Sequence, residues 1–247
     1  MSTRASVAAA PAIHDRVEAA RALQASGRTS EALELLSGPG NISQDLYTLR
    51  GDLHLQLGQW HQALSSYSAA IRADGSNSDP ARIGLGNCLL HLKKPEEAFA
   101  CFEACRSESV RLQALYGKAV ALQLLHRFDD AEALYERFLE LKPASEEALA
   151  NLIAMSMEVL HLSRVQQHAL RLLQVSPRSV IALQALALVA VERRDYETAA
   201  RYLADLQTIA PAEHFSPANE NGEDVVYRLS GEEVELLRTF RGNVREG

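Results

Sequence analysis

The side chains that could carry chemistry are few, and the first candidates are sulfur ligands. Cys88, His91, Cys101 and Cys105 fall within one short stretch. Cys101 and Cys105 are one helical turn apart, and with Cys88 and His91 on the helix beside them they could offer zinc four soft ligands. Cys105, however, stands where equivalent stretches have Ala70, Phe138, Leu172 and Leu206. A small buried cysteine is an ordinary core residue, so the thiols are assigned to packing and no metal site is expected. The eight histidines are scattered and form no HExxH pattern. His161 and His168 are expected to straddle a turn between helices and to be solvated. Gly84-Leu85-Gly86 begins like a dinucleotide fingerprint, but the third glycine is missing and no strand precedes it. Carboxylate pairs such as Asp129-Asp130 and Glu146-Glu147 fall at helix starts, where the helix dipole accounts for them. There is no phosphate-binding loop and no GxSxG. Neither a catalytic residue nor a cofactor is expected.

The elements around these residues repeat. Pro143, Pro177 and Pro211 are 34 residues apart and close three consecutive units, 112–145, 146–179 and 180–213. Two helical patterns per period of this length are the signature of a helix-turn-helix array. Upstream, 44–78 and 79–111 follow the same register, and 13–43 reads as a truncated first unit ended by Gly38-Pro39-Gly40. Asp79 reads as an N-cap with Pro80 at the first helical position. Pro95 starts a second helix, with Glu96 and Glu97 favouring its dipole, and Asp129 with Glu132 forms a capping-box pattern. Outside the array come an N-terminal tail (1–12), a polar linker (214–229), a C-terminal helix (230–241) and a last tail (242–247). Ser230 and Glu233 form a capping box there, ahead of an apolar face of Val234, Leu236, Leu237 and Phe240. That helix has two readings: a cap on the last unit, or a segment that occupies the array's own groove or a partner.

Gly51, Gly86, Ala119 and Ala187 provide a small residue on the first helix of a unit, and Ala63, Ala98, Ala131 and Ala199 a small residue on the second. Tyr67, Phe102, Tyr135 and Leu203 follow as large apolar residues, and Trp60, Phe128 and Tyr196 flank the turns. In this the chain, over roughly 13–213, resembles the tetratricopeptide-repeat (TPR) family. Unit 146–179 departs, with Ile153 and Val165 at the small sites, Ala169 at the large one, and neither turn glycine nor aromatic. The resemblance implies an all-α fold, a right-handed superhelical α-solenoid of stacked helix-turn-helix repeats. It also implies that inward positions of the first helices contact a peptide. Those are Thr48, Leu49, Asp52 and Leu55; Ile83, Asn87 and Leu90; Tyr116, Val120 and Gln123; Ala150, Asn151, Ala154 and Met157; and Gln184, Ala185, Leu188 and Val191. No Lys or Arg is among them, so the carboxylate clamp of one subclass, which takes Hsp70- or Hsp90-type tails, is not expected. An apolar groove with two asparagines suits an apolar or amphipathic segment held by pockets and amide contacts.

Bulk properties narrow the partner class. A net charge of -7 and a pI of 5.6 give no global attraction to nucleic acid or anionic membrane. No apolar run reaches the roughly 18–20 residues of a membrane span, so no direct membrane insertion is expected. Three cysteines confined to one unit make no disulfide framework and point to a reducing cytoplasm. The function expected is a non-catalytic scaffold, adaptor or chaperone-like protein binding a protein or peptide partner in its concave groove. Alternatives are a structural subunit of a secretion- or envelope-associated complex and a regulatory accessory of an enzyme system. The oligomeric state is left open.

Overall fold

Three of the helix pairs begin where a serine hydroxyl takes one of the first free backbone donors of a helix. In a computed structural model, which describes residues 13–37, 43–73 and 78–209, the Ser43, Ser145 and Ser179 hydroxyls accept from the N–H groups of Leu46, Ala148 and Ala182 at 3.2, 3.4 and 3.4 Å. The helices they open are α3 (Gln44–Gln56), α9 (Glu146–Glu158) and α11 (Val180–Glu192). The other first helices are α1 (Ile13–Ala25), α5 (Asp79–His91) and α7 (Arg111–Leu124). Their partners are α2 (Thr29–Leu36), α4 (Trp60–Ala73), α6 (Pro95–Glu103), α8 (Phe128–Leu141), α10 (Leu162–Val175) and α12 (Tyr196–Ile209). The described residues are all-α, in the six expected helix pairs. The tails, the Gly38-Pro39-Gly40 stop, Pro211, the linker and the helix expected at 230–241 lie outside them. The chain divides into two compact units, 1–134 and 135–247, with the boundary inside α8.

Two capping expectations are corrected. Ser78, not Asp79, is the N-cap residue of α5, and Asp79 is its first helical residue. Its buried carboxylate instead accepts from the backbone N–H groups of Arg106 and Ser107, at 2.7 and 2.6 Å, and from Arg82 Nη1 at 2.7 Å. It thereby ties the connection after α6 to the start of α5. Likewise α8 already begins at Phe128, so Asp129 stands inside the first turn and complements the dipole without opening the helix.

All six pairs turn in the same way. Gly27, Gly58, Lys93, His126, Leu160 and Arg194 have φ between 54° and 77°. The residue after each donates back to the last turn of the first helix, as in Arg28 N to Leu23 O at 2.9 Å and His161 N to Ser156 O at 2.9 Å. This is the Schellman closure, which uses carbonyls that a helix end leaves free. Unit 146–179 therefore makes the turn without glycine, placing Leu160 in the left-handed region.

Between pairs, aromatic rings are the wedges. A Cβ on Gly51 or Gly84 would come within 2.5 or 2.2 Å of the Tyr67 ring, and one on Gly86 or Gly117 within 2.6 Å of the Phe102 ring. Each ring thus lies against the first helix of its own pair and that of the next, with Tyr67 and Phe102 each 1% exposed. In the second unit Ala169 takes the ring's position while Ile153 and Val165 take the small ones, and all three are buried. The bulk of the ring is thus redistributed to Ile153 on the first helix and Val165 on the second.

Candidate protein-interaction faces

In the first unit, α5 packs against both α3 and α7, so three first helices lie in a row. Ile83, Asn87 and Leu90 share one face of α5 at helical spacing, and Tyr116, Val120 and Gln123 occupy the same register on α7. Asn87 is exposed and the other five are half-buried. Ile83 and Leu90 also pack against the core around Phe102 and Leu89. On α3, Leu49 is in the core, together with Val17, Ala20 and Leu53. Asp52, at the register of Asn87, is half-buried and accepts the Tyr67 hydroxyl at 2.6 Å. Burial pushes the Asp52 carboxyl up, against the opposing pull of the Tyr67 hydrogen bond and of Arg21. The Tyr67 hydroxyl is itself pushed up by burial and by the Asp52 charge, so it remains a donor at any ordinary pH.

In the second unit, Asn151 and Ala154 on α9 and Gln184 and Leu188 on α11 are half-buried, whereas Met157 is buried. The Asn151 amide donates to the Tyr135 hydroxyl at 3.0 Å. The Gln184 Oε1 is buried without a hydrogen-bond partner. Asn151 stands where Gly84 stands in the first unit, and both meet the ring of the preceding second helix. The sequence register contained this pairing, because both residues fall six positions after their helix's N-cap serine, Ser78 or Ser145. The sequence register marks Gly51 and Gly86 as packing glycines but not Gly84 and Gly117.

The titratable candidates are placed as packing and capping groups. Cys88 is buried and its thiol is pushed up to about 11 by burial, with the Asp52 charge adding to it. Cys105 is pushed up to about 11 by burial and Asp79, and its Sγ donates to the Cys101 carbonyl at 3.5 Å. Burial also raises Cys101. Thiols held protonated are poor nucleophiles and poor metal ligands. Among the described residues no group of three or more His, Cys, Asp or Glu is arranged to hold a metal ion. The histidine expectation is corrected in part: His161 stands exposed in the turn before α10, as expected, whereas His168 lies within that helix. His161 caps α10 by accepting from Arg164 N at 3.4 Å. His168 is 1% exposed, not solvated, with Nδ1 3.8 Å from Glu136 Oε1. It falls at the position of Ser66 on the buried side of a second helix. Trp60 stacks on His91 with centroids 4.0 Å apart, a contact that pattern reading had not paired.

Comparison with known proteins follows this geometry. Residues 48–109 match a tetratricopeptide-repeat family model, and residues 90–187 match the model of the coatomer epsilon subunit. No curated protein matches the chain. Among solved structures, the type IV pilus biogenesis factor PilW is 19% identical, covers 81% of this chain and 94% of its own, and has a TM-score of 0.69. PilF of Pseudomonas aeruginosa is 16% identical over 81% of this chain and 92% of its own, with a TM-score of 0.65. YrrB, described as a TPR protein with an unusual peptide-binding site, is 19% identical over 68% of this chain and 87% of its own, at 0.55. The chain shares the stacked helix-pair fold of these structures, and its tetratricopeptide-repeat match is confined to residues 48–109. Identities this low define architecture and not a shared partner. No helix among the described residues is long and apolar enough to cross a membrane.

Proposed function

We propose that this protein is a non-catalytic scaffold or adaptor that holds an apolar or amphipathic segment of a partner protein. The contact surface is the first-helix row of the first unit: Ile83, Asn87, Leu90, Tyr116, Val120 and Gln123. The observation that carries the reading is the contrast across α5 and α7. Gly86 and Ala119 are sealed against the second helices, while the very next residues, Asn87 and Val120, stay accessible. Apolar side chains set on rigid, wedged helices offer pockets at low entropic cost, and the Asn87 amide is available to a ligand's backbone. Ala154, Gln184 and Leu188 stand at the corresponding positions of the second unit, with Asn151 beside them at the position of Gly84, while Leu49, Asp52 and Met157 serve mainly the fold. Free cysteines, none of them bridged, support a reducing cytoplasmic location.

The test is a comparison of partner capture from native-host extract by the unaltered protein and by Asn87→Lys and Leu90→Glu with Tyr116→Ala. Loss of the same captured protein from both variants, with circular dichroism and melting little changed for Asn87→Lys, is the expected result. Undiminished capture by both would overturn the groove.

One observation favours a second reading, an assembly subunit joined through its turns. Leu160 is 75% exposed and Val159 beside it is also exposed, an adjacent apolar pair at the turn between α9 and α10. If this turn drives assembly, light scattering will show a mass that rises with concentration and that Leu160→Asp lowers. One of the similar structures, PilW, is described as a type IV pilus biogenesis factor, which suits that role.

A further inference from the structure

The first-helix row of the first unit changes character along its length. It runs α1, α3, α5 and α7, each packed on the next. The buried small sites Ala20, Gly51, Gly86 and Ala119 are followed in turn by Arg21, Asp52, Asn87 and Val120. Polarity therefore falls along the row from two charges, through an amide, to an apolar side chain. Ile83 and Leu90 share the face of Asn87, and Tyr116 shares that of Val120, so the α5–α7 end is the apolar one.

Asp52 is the member of the row with capacity to spare. Its Oδ1 accepts the Tyr67 hydroxyl at 2.6 Å and serves the fold. Its Oδ2 takes no hydrogen bond, and the carboxylate makes no ion pair, among the described residues. Arg21 pulls on it from α1 but pairs with Glu18, Nε to Oε1 at 3.8 Å, and both of those side chains are exposed. Burial strips part of the hydration this charge needs and pushes the carboxyl up. A half-buried carboxylate with a free oxygen gains from a cation brought to it from outside. Thr48, Leu55, Ile83, Leu90, Tyr116 and Gln123 around it carry no charge, so the selection falls to Asp52. The net charge of -7 acts in the same direction.

We propose that the row takes an extended segment of a partner protein whose lysine or arginine pairs with Asp52 while its apolar residues lie on α5 and α7. The exposed Asn87 amide stands between the two and favours an extended occupant, because a helix uses up its own backbone groups. Packed helices lie about 8–10 Å apart and an extended chain advances about 3.3–3.6 Å per residue. The basic residue and the apolar ones therefore recur at about every third position of the segment. This inference rests on the first-helix contact surface proposed above and adds the charge that the surface selects.

Selection of short random peptides displayed on phage, with the full chain as bait, tests it. The enriched sequences should carry Lys or Arg about three positions from an apolar residue. Asp52→Asn keeps an acceptor for Tyr67 and removes the charge, and circular dichroism should show its fold unchanged. By fluorescence anisotropy it should bind the enriched peptides about tenfold more weakly. Replacing the peptide's basic residue by Gln should weaken binding to the unaltered protein equally and add nothing to the loss in Asp52→Asn. Asp45→Asn, which changes an exposed acid on the same helix, should alter neither selection nor affinity. Enrichment of apolar sequences with no basic position would overturn the inference and leave the proposed function standing. A basic preference that survives Asp52→Asn, or that Asp45→Asn abolishes, would also overturn it. No enrichment over an unrelated bait would overturn both.

Discussion

Asp52 and Asp79 show how one residue type is put to opposite uses. Asp79 lies buried, and although burial alone would raise its carboxyl, the Ser107 and Arg106 N–H groups and Arg82 hold it below its usual range. A carboxyl with a depressed folded-state value contributes stability above its unfolded value and loses it as pH falls through the folded one. Asp79→Ala should therefore lower unfolding free energy by about 3 kcal/mol at neutral pH. Asp79→Asn should also flatten the decline in stability below about pH 4. Asp52 has the reverse sign. Its folded-state value is raised, so the folded protein gains stability as pH falls toward and through that value and is penalised above it. Asp52→Asn keeps an acceptor for the Tyr67 hydroxyl and removes the charge. Its melting temperature should equal or exceed that of the unaltered protein at pH 7, and the advantage should vanish near pH 4. Tyr67→Phe, which leaves the carboxylate without its Tyr67 donor, should cost about 1–3 kcal/mol by urea denaturation at pH 7.

Leu160 is a residue whose cost is local. A left-handed backbone at a non-glycine residue costs roughly 1–2 kcal/mol, and glycine returns about 0.5–1 kcal/mol of this as greater freedom in the unfolded chain. Leu160→Gly should stabilise the protein by about 0.5 kcal/mol and remove the most exposed large apolar side chain described. Gly58→Ala should destabilise by about 1 kcal/mol, since φ is 67° there. Chemical denaturation of the two variants side by side checks both signs.

At the scale of elements, helix existence and pairing were legible because apolar residues recur at helical spacing and prolines mark the links. Helix starts were less legible. Asp79-Pro80 and Asp129 satisfy the local capping pattern, yet a buried tie to 106–107 and an earlier start at Phe128 claimed them. The wedge geometry was half legible. Gly51 and Gly86 stood out by register, whereas the partners Gly84 and Gly117 belong to the contact with the preceding pair, which no local pattern encodes. His168 escaped for the same reason, because polarity suggested the surface while its position belonged to the buried side of α10. Gly84→Ala forces a Cβ to within 2.2 Å of the Tyr67 ring, which is boxed in from the other side by Gly51. Overpacking of this kind typically costs about 1–3 kcal/mol. Tyr67→Leu in the same chain should recover part of the loss, and a double-mutant cycle should return a coupling energy of about 1 kcal/mol or more.

For the whole molecule, the consequence of repetition is that stability is distributed along the chain. Within each unit, helices pack on their sequence neighbours and on the corresponding helix one pair away. Stability in such an array is close to a sum of intrinsic and nearest-neighbour terms, and damage should stay near its origin. Phe102 closes the contacts of α5, α6 and α7 in the first unit, and the second unit has its own buried set in Leu149, Leu152, Ile153, Leu172 and Leu186. Phe102→Ala removes a fully buried ring, a change worth about 3–5 kcal/mol. Amide exchange should therefore accelerate strongly over α5–α7 and little over α9–α11. The first-helix face of the first unit should lose partner capture in the same variant, because Ile83 and Leu90 rest on the core that Phe102 fills. Uniform acceleration across both units would show instead that the chain unfolds as one cooperative body, and the partner's contact would then have to be sought with surface substitutions alone.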